Sequence, residues 1–463
     1  KLGTKNWTQT KQKIREKVAE LAGQLLSLYA RREIAKGYKF GDSDDFDLRF
    51  AEAFPYQETR DQQAAIEAVL KDMESSKPMD RLVCGDVGYG KTEVAMRAAF
   101  KAAHNGKQTA VLVPTTVLAE QHFKSFRSRF EGFGVRIGCV SRFFSPADNK
   151  ATLQKLSSGE IDIIIGTHRL LSADVNIRNL GLLIIDEEHR FGVAHKEKLK
   201  TLRNSVDVLT LTATPIPRTL HMSMVSVRDL SVIETPPHDR QATRTYVAPF
   251  DNSIVREAIL REMGRSGQVY FLHNRVQNIE TVAAEIRDLV PEARVGIAHG
   301  QMRPQDLEVV MHRFVHGDID ILVSTTIIES GLDIPNANTI IIKDADKLGL
   351  AELYQLRGRV GRSSRRAYAY LMISDPKSLG VDARKRLEVL QSLDDLGVGF
   401  RLALQDLEIR GAGNLLGKDQ SGQVAAIGFE LYSKILRDAI EEIRQKDKVR
   451  DALSPEHEDR ITI

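Results

Sequence analysis

Residues 81–92 read Arg-Leu-Val-Cys-Gly-Asp-Val-Gly-Tyr-Gly-Lys-Thr, which sets Gly85, four residues, then Gly90, Lys91 and Thr92 in the pattern of a phosphate-binding loop. Glycines at Gly85, Gly88 and Gly90 let backbone N–H groups close around phosphate oxygens, and the start of a following helix adds partial positive charge. The Lys91 amine can reach β- and γ-phosphates, and the Thr92 hydroxyl can hold magnesium. A second reactive group, Asp186-Glu187-Glu188-His189, follows the apolar run 182–185. A carboxylate leaving a buried strand is costly unless it meets a cation, and magnesium beside Thr92 supplies one for Asp186. Glu187, one residue on, can orient or deprotonate an attacking water. The third group is basic: Gln355, Arg357, Arg359 and Arg362 place three guanidinium groups within six positions. Guanidinium is rigid and permanently charged, suited to phosphate oxygens. On a helix start these side chains project toward one region, and Arg359 and Arg362 can act across a cleft on the γ-phosphate as arginine fingers. A surface patch for DNA phosphate is the plainer alternative, with more force for Arg357.

These groups need strands and helices to hold them. The apolar run 82–84 reads as a buried strand, and 93–103, rich in Ala with Val94, Met96 and Phe100, reads as a helix. Further apolar runs at 109–113, 136–140, 161–165, 182–185 and 208–211 each lead to a polar loop, the last to Thr212-Ala213-Thr214. Such runs imply a parallel sheet with helices on both faces, and functional residues beyond the carboxyl ends of its strands. Residues 229–244, polar with Pro236-Pro237, read as a linker. A second series follows, with strands at 269–272, 294–298, 320–324, 339–342 and 368–373 and no phosphate loop of its own. Gln62 lies just before or within a helical face upstream of the loop; its amide donates and accepts, as an adenine edge requires, although a lone glutamine there is ordinarily a solvated surface residue. Thr115, Thr116, Thr167, Thr325 and Thr326 follow strands on one face, where hydroxyls and nearby N–H groups can hold DNA phosphates without reading bases.

Composition bounds the rest. A chain of 463 residues, 42% hydrophobic, should hold two or more domains. Its net charge of +3, from 66 basic and 63 acidic residues, means that any nucleic-acid surface is local. Cys84 and Cys139 make neither a disulfide scaffold nor a zinc set, as in a reducing compartment. No apolar run is long enough for a membrane span and no signal peptide is visible, although a chain starting at Lys1 is expected to be a fragment or trimmed product. Ile14, Val18, Leu21, Leu25 and Leu28 form one stripe of a long helix over 1–36, a strut for the next domain, with 37–49 as its exit loop. Near the other end, helices from 387 and 400 lead to a Gly-rich return at Gly411, Gly413 and Gly417, and 445–463 is a polar tail.

Residues 54–373 carry, in order, the motif series of superfamily-two helicases and translocases: 85–92, 186–189, 212–214, 325–335 and 355–362. Phe54-Pro55-Tyr56, Ser141-Arg142-Phe143 and Asp186 through Val193 are similar to the bacterial transcription-repair coupling factor family, as are Leu2-Gly3 and Trp7 in front. The sister family of branch-migration helicases, which remodel replication forks, shares the motor but usually carries a wedge domain there. The resemblance implies an α/β fold of two tandem RecA-like parallel-sheet domains, with a preceding long helix and a C-terminal helical hairpin. The expected divisions are 1–50, 51–235, 236–380, 381–444 and 445–463. It further implies ATP and Mg2+ as cofactors and translocation on double-stranded DNA to displace stalled RNA polymerase in the cytoplasm, at the nucleoid. Polymerase and repair proteins would be partners of the full-length protein, through modules before residue 1. Arg410 and Gln420 would couple ATP state to DNA movement, with Thr214 on the same path. A non-enzymatic remnant that only binds DNA or a partner is the contrasting reading, and the intact Lys91, Thr92, Asp186, Glu187, Arg359 and Arg362 argue against it. Arg410→Ala should leave DNA-stimulated ATPase at least partly intact while abolishing displacement of a triplex strand; loss of neither would reduce the glycine-rich segment to packing.

Overall fold

A computed structural model of the protein describes residues 37–188, 191, 206–213, 229–237, 240–326, 334–361, 365–374 and 379–392. The expected long helix over 1–36 and the segment beyond 392 lie outside the described residues, as do Thr214, Arg362, Arg410 and Gln420. Asp229 apart, the described residues belong to one compact unit.

The first described elements are α1 (Asp45–Glu52), α2 (Arg60–Met73), β1 (Asp80–Gly85), α3 (Lys91–His104), β2 (Gln108–Leu112), α4 (Thr116–Arg129), β3 (Ile137–Val140), α5 (Pro146–Ser158), β4 (Ile163–Gly166), β5 (Leu180–Asp186), β6 (Asp207–Thr212) and β7 (Asp229–Ile233). Their strands form one sheet in the order β3-β4-β2-β5-β6-β1-β7. Pairing is parallel from β3 across to β1. Alternate residues face opposite sides of a strand, so Val111, Ile165, Ile184 and Leu209 pack under α2, α3 and α4. Leu112, Ile164, Ile185 and Val208 pack on the other side with Leu156 of α5. That two-sided burial is why these strands read as unbroken apolar runs.

The second series is β8 (Arg244–Pro249), α6 (Asn252–Met263), β9 (Gln268–Leu272), α7 (Ile279–Leu289), β10 (Val295–Ala298), α8 (Pro304–Val315), β11 (Ile321–Ser324), β12 (Ala337–Ile342), α9 (Leu350–Arg357), β13 (Tyr368–Ile373) and α10 (Val381–Ser392). Its sheet runs β10-β11-β9-β12-β13-β8, parallel throughout. Both sheets start a central strand with the same device. Gln108 donates to the carbonyls of Leu156 and Ile161 at 2.9 and 2.8 Å, and Gln268 to those of Phe314 and Ile319 at 2.6 and 2.7 Å. Arg136 with Asp162 and Arg294 with Asp320 form a second matched pair.

Two elements depart from the sequence reading. The segment read as a linker contains β7 and ends where β8 begins, so the true connection is narrower. Asp229 to Ile233 is an edge strand with only Ile233 buried, and an edge strand has no continuous apolar run to announce it. Residues 45–52, the first five of which the sequence assigns to an exit loop, form α1, capped by Asp44, whose side chain accepts from the N–H groups of Phe46 and Asp47. Phe50 of α1 stacks on Phe100 with centroids 4.2 Å apart, and Phe40 is also buried, so the first core begins ahead of residue 51.

Burial pushes the thiols of Cys84 and Cys139 up to about 12. The thiolate is the reactive form. A disulfide reagent in mildly alkaline buffer should therefore label neither cysteine in the native chain and both after denaturation. Rapid native labelling would mean that β1 or β3 opens far more readily than its packing implies.

Candidate functional site

The sheet order brings the reactive groups together. β6 lies between β1 and β5, with Cys84 opposite Thr212 and Asp186 opposite Leu211. The phosphate loop, the acidic pair and Ala213 therefore leave the same edge of the sheet. The loop turns through left-handed backbone at Gly88 and Gly90, with φ of 81° and 72°. Lys91 opens α3, and its amine donates to the carbonyls of Gly85 and Asp86 at 2.6 and 2.9 Å. Burial lowers its pKa against the opposing pull of Glu187 and Asp186. Gly85 sits below the loop, where a Cβ would come within 3.0 Å of Ile233, so this glycine serves close strand packing.

Gln62 is placed beside the loop but is not a solvated residue. Its amide oxygen accepts from the Thr59 N–H at 2.8 Å, closing a capping box on α2, and its amide nitrogen donates to the Tyr89 carbonyl at 2.9 Å. A Cβ on Gly90 would meet that nitrogen at 2.4 Å.

Glu187 adopts φ of 54°, in the left-handed region where a non-glycine residue is strained. The turn is held by its N–H donating to the Leu211 carbonyl at 3.0 Å. Its carboxylate accepts from the Thr212 hydroxyl at 3.2 Å and the Ala213 N–H at 3.0 Å. Asp186 meets His122 of α4, Nε2 to Oδ2, at 3.1 Å. A cavity of about 180 Å³ is lined by Gly88, Gly90, Lys91, Thr92, Asp186 and Glu187 from the first domain, with His122 and Ser125 from α4, and by Arg359 from the second.

Arg357 is the last residue of α9 and Arg359 follows its cap, Gly358, so these two stand at a helix end and not at its start. That geometry separates their roles. Arg359 is 3% exposed and lines the cavity. Arg357 lies with its guanidinium 4.9 Å from the centroid of the Tyr354 ring and is directed toward the Leu390 carbonyl of α10.

The threonines lie along the other half of the first edge and in the second domain. Thr115 and Thr116 follow β2 and Thr167 follows the adjacent β4. The Thr115 hydroxyl caps α4, accepting from the Leu118 N–H at 3.3 Å. That of Thr116 donates to Glu308 of α8 at 2.6 Å. Thr167 and Thr325 are buried and Thr326 half-buried. His122, Tyr354 and Arg240, which all touch the site's groups, had no signal in the sequence: each is a single residue brought in by tertiary packing.

Two sequence families divide the chain at the connection between the sheets. Residues 59–223 match the DEAD/DEAH box helicase family, and residues 252–364 match the Helicase conserved C-terminal domain family. With two parallel-sheet domains sharing one cavity, this defines a two-domain helicase-type ATPase motor of superfamily two. Within that class the chain belongs to the transcription-repair-coupling factor family. It is 57% identical over 442 residues to the transcription-repair-coupling factor of Bacillus subtilis (strain 168), covering 96% of this chain and 38% of that protein. With that of Escherichia coli (strain K12) it shares 56% over 445 residues, covering 96% and 39%. The chain thus spans under two-fifths of the length of these relatives. Among solved structures, RecG bound to a three-way DNA junction matches with a TM-score of 0.77 and 34% identity, over 92% of this chain and 57% of that one. Among the described residues no helix is long and apolar enough to cross a membrane.

The crowding at Gly90 gives a direct check. Gly90→Ala introduces both the left-handed strain, about 1–2 kcal/mol, and the clash with Gln62. Titration with a fluorescent nucleoside triphosphate should show affinity falling by about tenfold or more, and unchanged affinity would mean that the loop opens differently on binding.

Proposed function

We propose that the chain is an ATP-driven translocase motor on double-stranded DNA, and that the full-length protein uses it in the bacterial cytoplasm to displace stalled RNA polymerase during transcription-coupled repair. The observation that carries the reading is Arg359, which the second domain supplies to the cavity lined by Lys91, Thr92, Asp186 and Glu187 of the first. Lys91 exchanges its two loop carbonyls for the β- and γ-phosphates, and the N–H groups of Gly88 and Gly90 close on phosphate oxygens. Thr92 and Asp186 would hold Mg2+, which neutralises charge on the phosphates. One hydroxyl and one carboxylate facing the same cavity fit that ion, which takes few protein ligands beside phosphate and water. Glu187, fixed by Thr212 and Ala213, orients the attacking water and takes its proton. Arg359, joined by Arg362, stabilises charge on the transferring phosphoryl group.

Gln62 would contact adenine only by releasing one of its two present bonds. Thr115, Thr116, Thr167, Thr214, Thr325 and Thr326 hold DNA phosphates, with Thr116 exchanging Glu308 for one. Arg410 and Gln420 then convert domain closure into steps. The polymerase and repair proteins bind outside this chain. The likeness to RecG supports branch migration as the second reading, at 34% identity against 57% for the coupling-factor relative.

Lys91→Ala should abolish ATP turnover together with tight nucleotide binding, whereas Glu187→Gln should abolish turnover and still bind. Arg359→Ala should lose about 10³-fold or more in turnover with little change in nucleotide affinity. DNA-stimulated ATPase and equilibrium nucleotide binding, measured separately, check all three. Normal turnover in Glu187→Gln, or loss of DNA affinity alone in Arg359→Ala, would overturn those assignments.

A further inference from the structure

The outer side of the phosphate loop meets the second domain through a contact the hydrolytic scheme does not use. Tyr354 of α9 donates its hydroxyl to the Asp86 carboxylate, a residue 268 positions away. Tyr354 is 7% exposed and Asp86 8%, so the bond is shielded from solvent. A hydroxyl bonded to a carboxylate is among the stronger neutral–ionic pairs, and shielding strengthens it.

Tyr354 is also stiffly joined to Arg359. The Gly358 N–H donates to the Tyr354 carbonyl and the Arg359 N–H to the Leu356 carbonyl, each at 3.0 Å, so the helix end continues as a bonded unit to the finger. The Arg357 guanidinium beside the Tyr354 ring braces the same turn. Gly358 passes close to the loop, where a Cβ would lie 3.7 Å from a Val87 methyl. From the connection between the sheets, Arg240 donates to the Val87 carbonyl and lies 5.0 Å from the centroid of the Tyr89 ring, fixing the loop on that flank.

We propose that the Asp86–Tyr354 hydrogen bond is a register pin between the two domains, making Tyr354 a positioning residue that sets Arg359 against the phosphates; this rests on the ATPase reading above. An arginine finger works only at the right distance and angle, and a misplacement of about 1 Å can cost roughly 10²-fold in rate. The backbone of α9 alone leaves the helix free to slide along its axis or rotate against the loop. A bond from its side chain to the residue after Gly85 removes that freedom at the point where the phosphates sit. Burial, then the neighbouring Asp86 charge, raises the Tyr354 phenol above its ordinary value, so it remains a donor across the working pH range.

The test is steady-state ATPase of the purified chain with duplex DNA, separating kcat from KM. Tyr354→Phe removes one oxygen and keeps the ring. It should lower kcat by roughly 10- to 100-fold while KM for ATP stays within about twofold. Asp86→Ala should lose a similar amount, and the double variant should be no worse than the more damaging single change, as expected for two ends of one bond. Asp86→Asn, which keeps an acceptor oxygen, should recover a large part of the loss seen in Asp86→Ala. Because the pin acts through the finger, adding Tyr354→Phe to Arg359→Ala should reduce turnover no further. Wild-type kcat in Tyr354→Phe, losses that multiply in the double variant, or an undiminished effect in the Arg359→Ala background would overturn the pin. Turnover surviving Lys91→Ala would instead overturn the ATPase reading, whereas a chain that needs Lys91 and ignores Tyr354→Phe would overturn the pin alone.

Discussion

Backbone amides that point at a bound anion cannot also bond to one another, so a phosphate loop has to be kept open by groups outside it. Here those groups come from three directions. Gln62 of α2 holds the Tyr89 carbonyl, Arg240 from the inter-sheet connection holds the Val87 carbonyl, and Tyr354 of the second domain holds Asp86. Below, Ile233 closes on Gly85 where no side chain would fit. Only the first of these comes from an element near the loop in sequence, the helix just before β1. The shape of the loop therefore depends on the whole first sheet being complete to its edge and on the second domain being in place.

The same sheet edge is divided between two tasks. Strands β1, β6 and β5 end at the cavity, and β2 and β4 end at the threonines, so nucleotide chemistry and the proposed DNA contacts share one rigid layer. Helix α4 spans both halves. It begins with Thr115 and Thr116 at one end and presents His122 to Asp186 in its middle. Its last turn is fastened by Arg129, which donates to Glu93 at 2.8 Å and lies 3.9 Å from the centroid of the Phe50 ring. Glu93 stands directly after Thr92, so a buried ion pair ties α4 to the first turn of α3. Glu93 also accepts from Arg97 of α3 at 2.7 Å, so removing Glu93, rather than Arg129, is the change that leaves a largely buried guanidinium charge uncompensated, at a cost of about 3–5 kcal/mol.

Much of this was legible from sequence because it is local. The strands buried on both faces are continuous apolar runs. The loop and the acidic pair are contiguous motifs whose residue types leave little choice of chemistry, and the sequence separates Arg359 and Arg362 together from Arg357. What was not legible is non-local or at an edge. Strand β7 and helix α1 lack long apolar patterns, and the short helix ending at Arg357 has only Gly358 after it to mark its end. The residue type of Gln62 suits a base edge, whereas in the fold its amide closes a helix cap and supports the loop. His122, Arg240 and Tyr354 are solitary residues in helical or polar stretches, and only folding shows which carbonyl or carboxylate each one meets.

The narrow connection between the sheets sets a kinetic condition on the motor. Residues 234–243, between Ile233 and Arg244, can reach no more than about 35 Å when fully extended. The free length is shorter still, because the N–H groups of Glu234 and Thr235 are bound by Asp61 at 3.0 and 2.7 Å and Arg240 is bound at Val87. A short tether converts an encounter between two bodies into an intramolecular one, with an effective concentration in the millimolar range. If the domains part during the proposed cycle, Arg359 would return to the cavity at a rate independent of how dilute the protein is. In the proposed cycle the motor would need no neighbouring subunit to supply that cation, unlike assemblies that must form a ring before they can turn over.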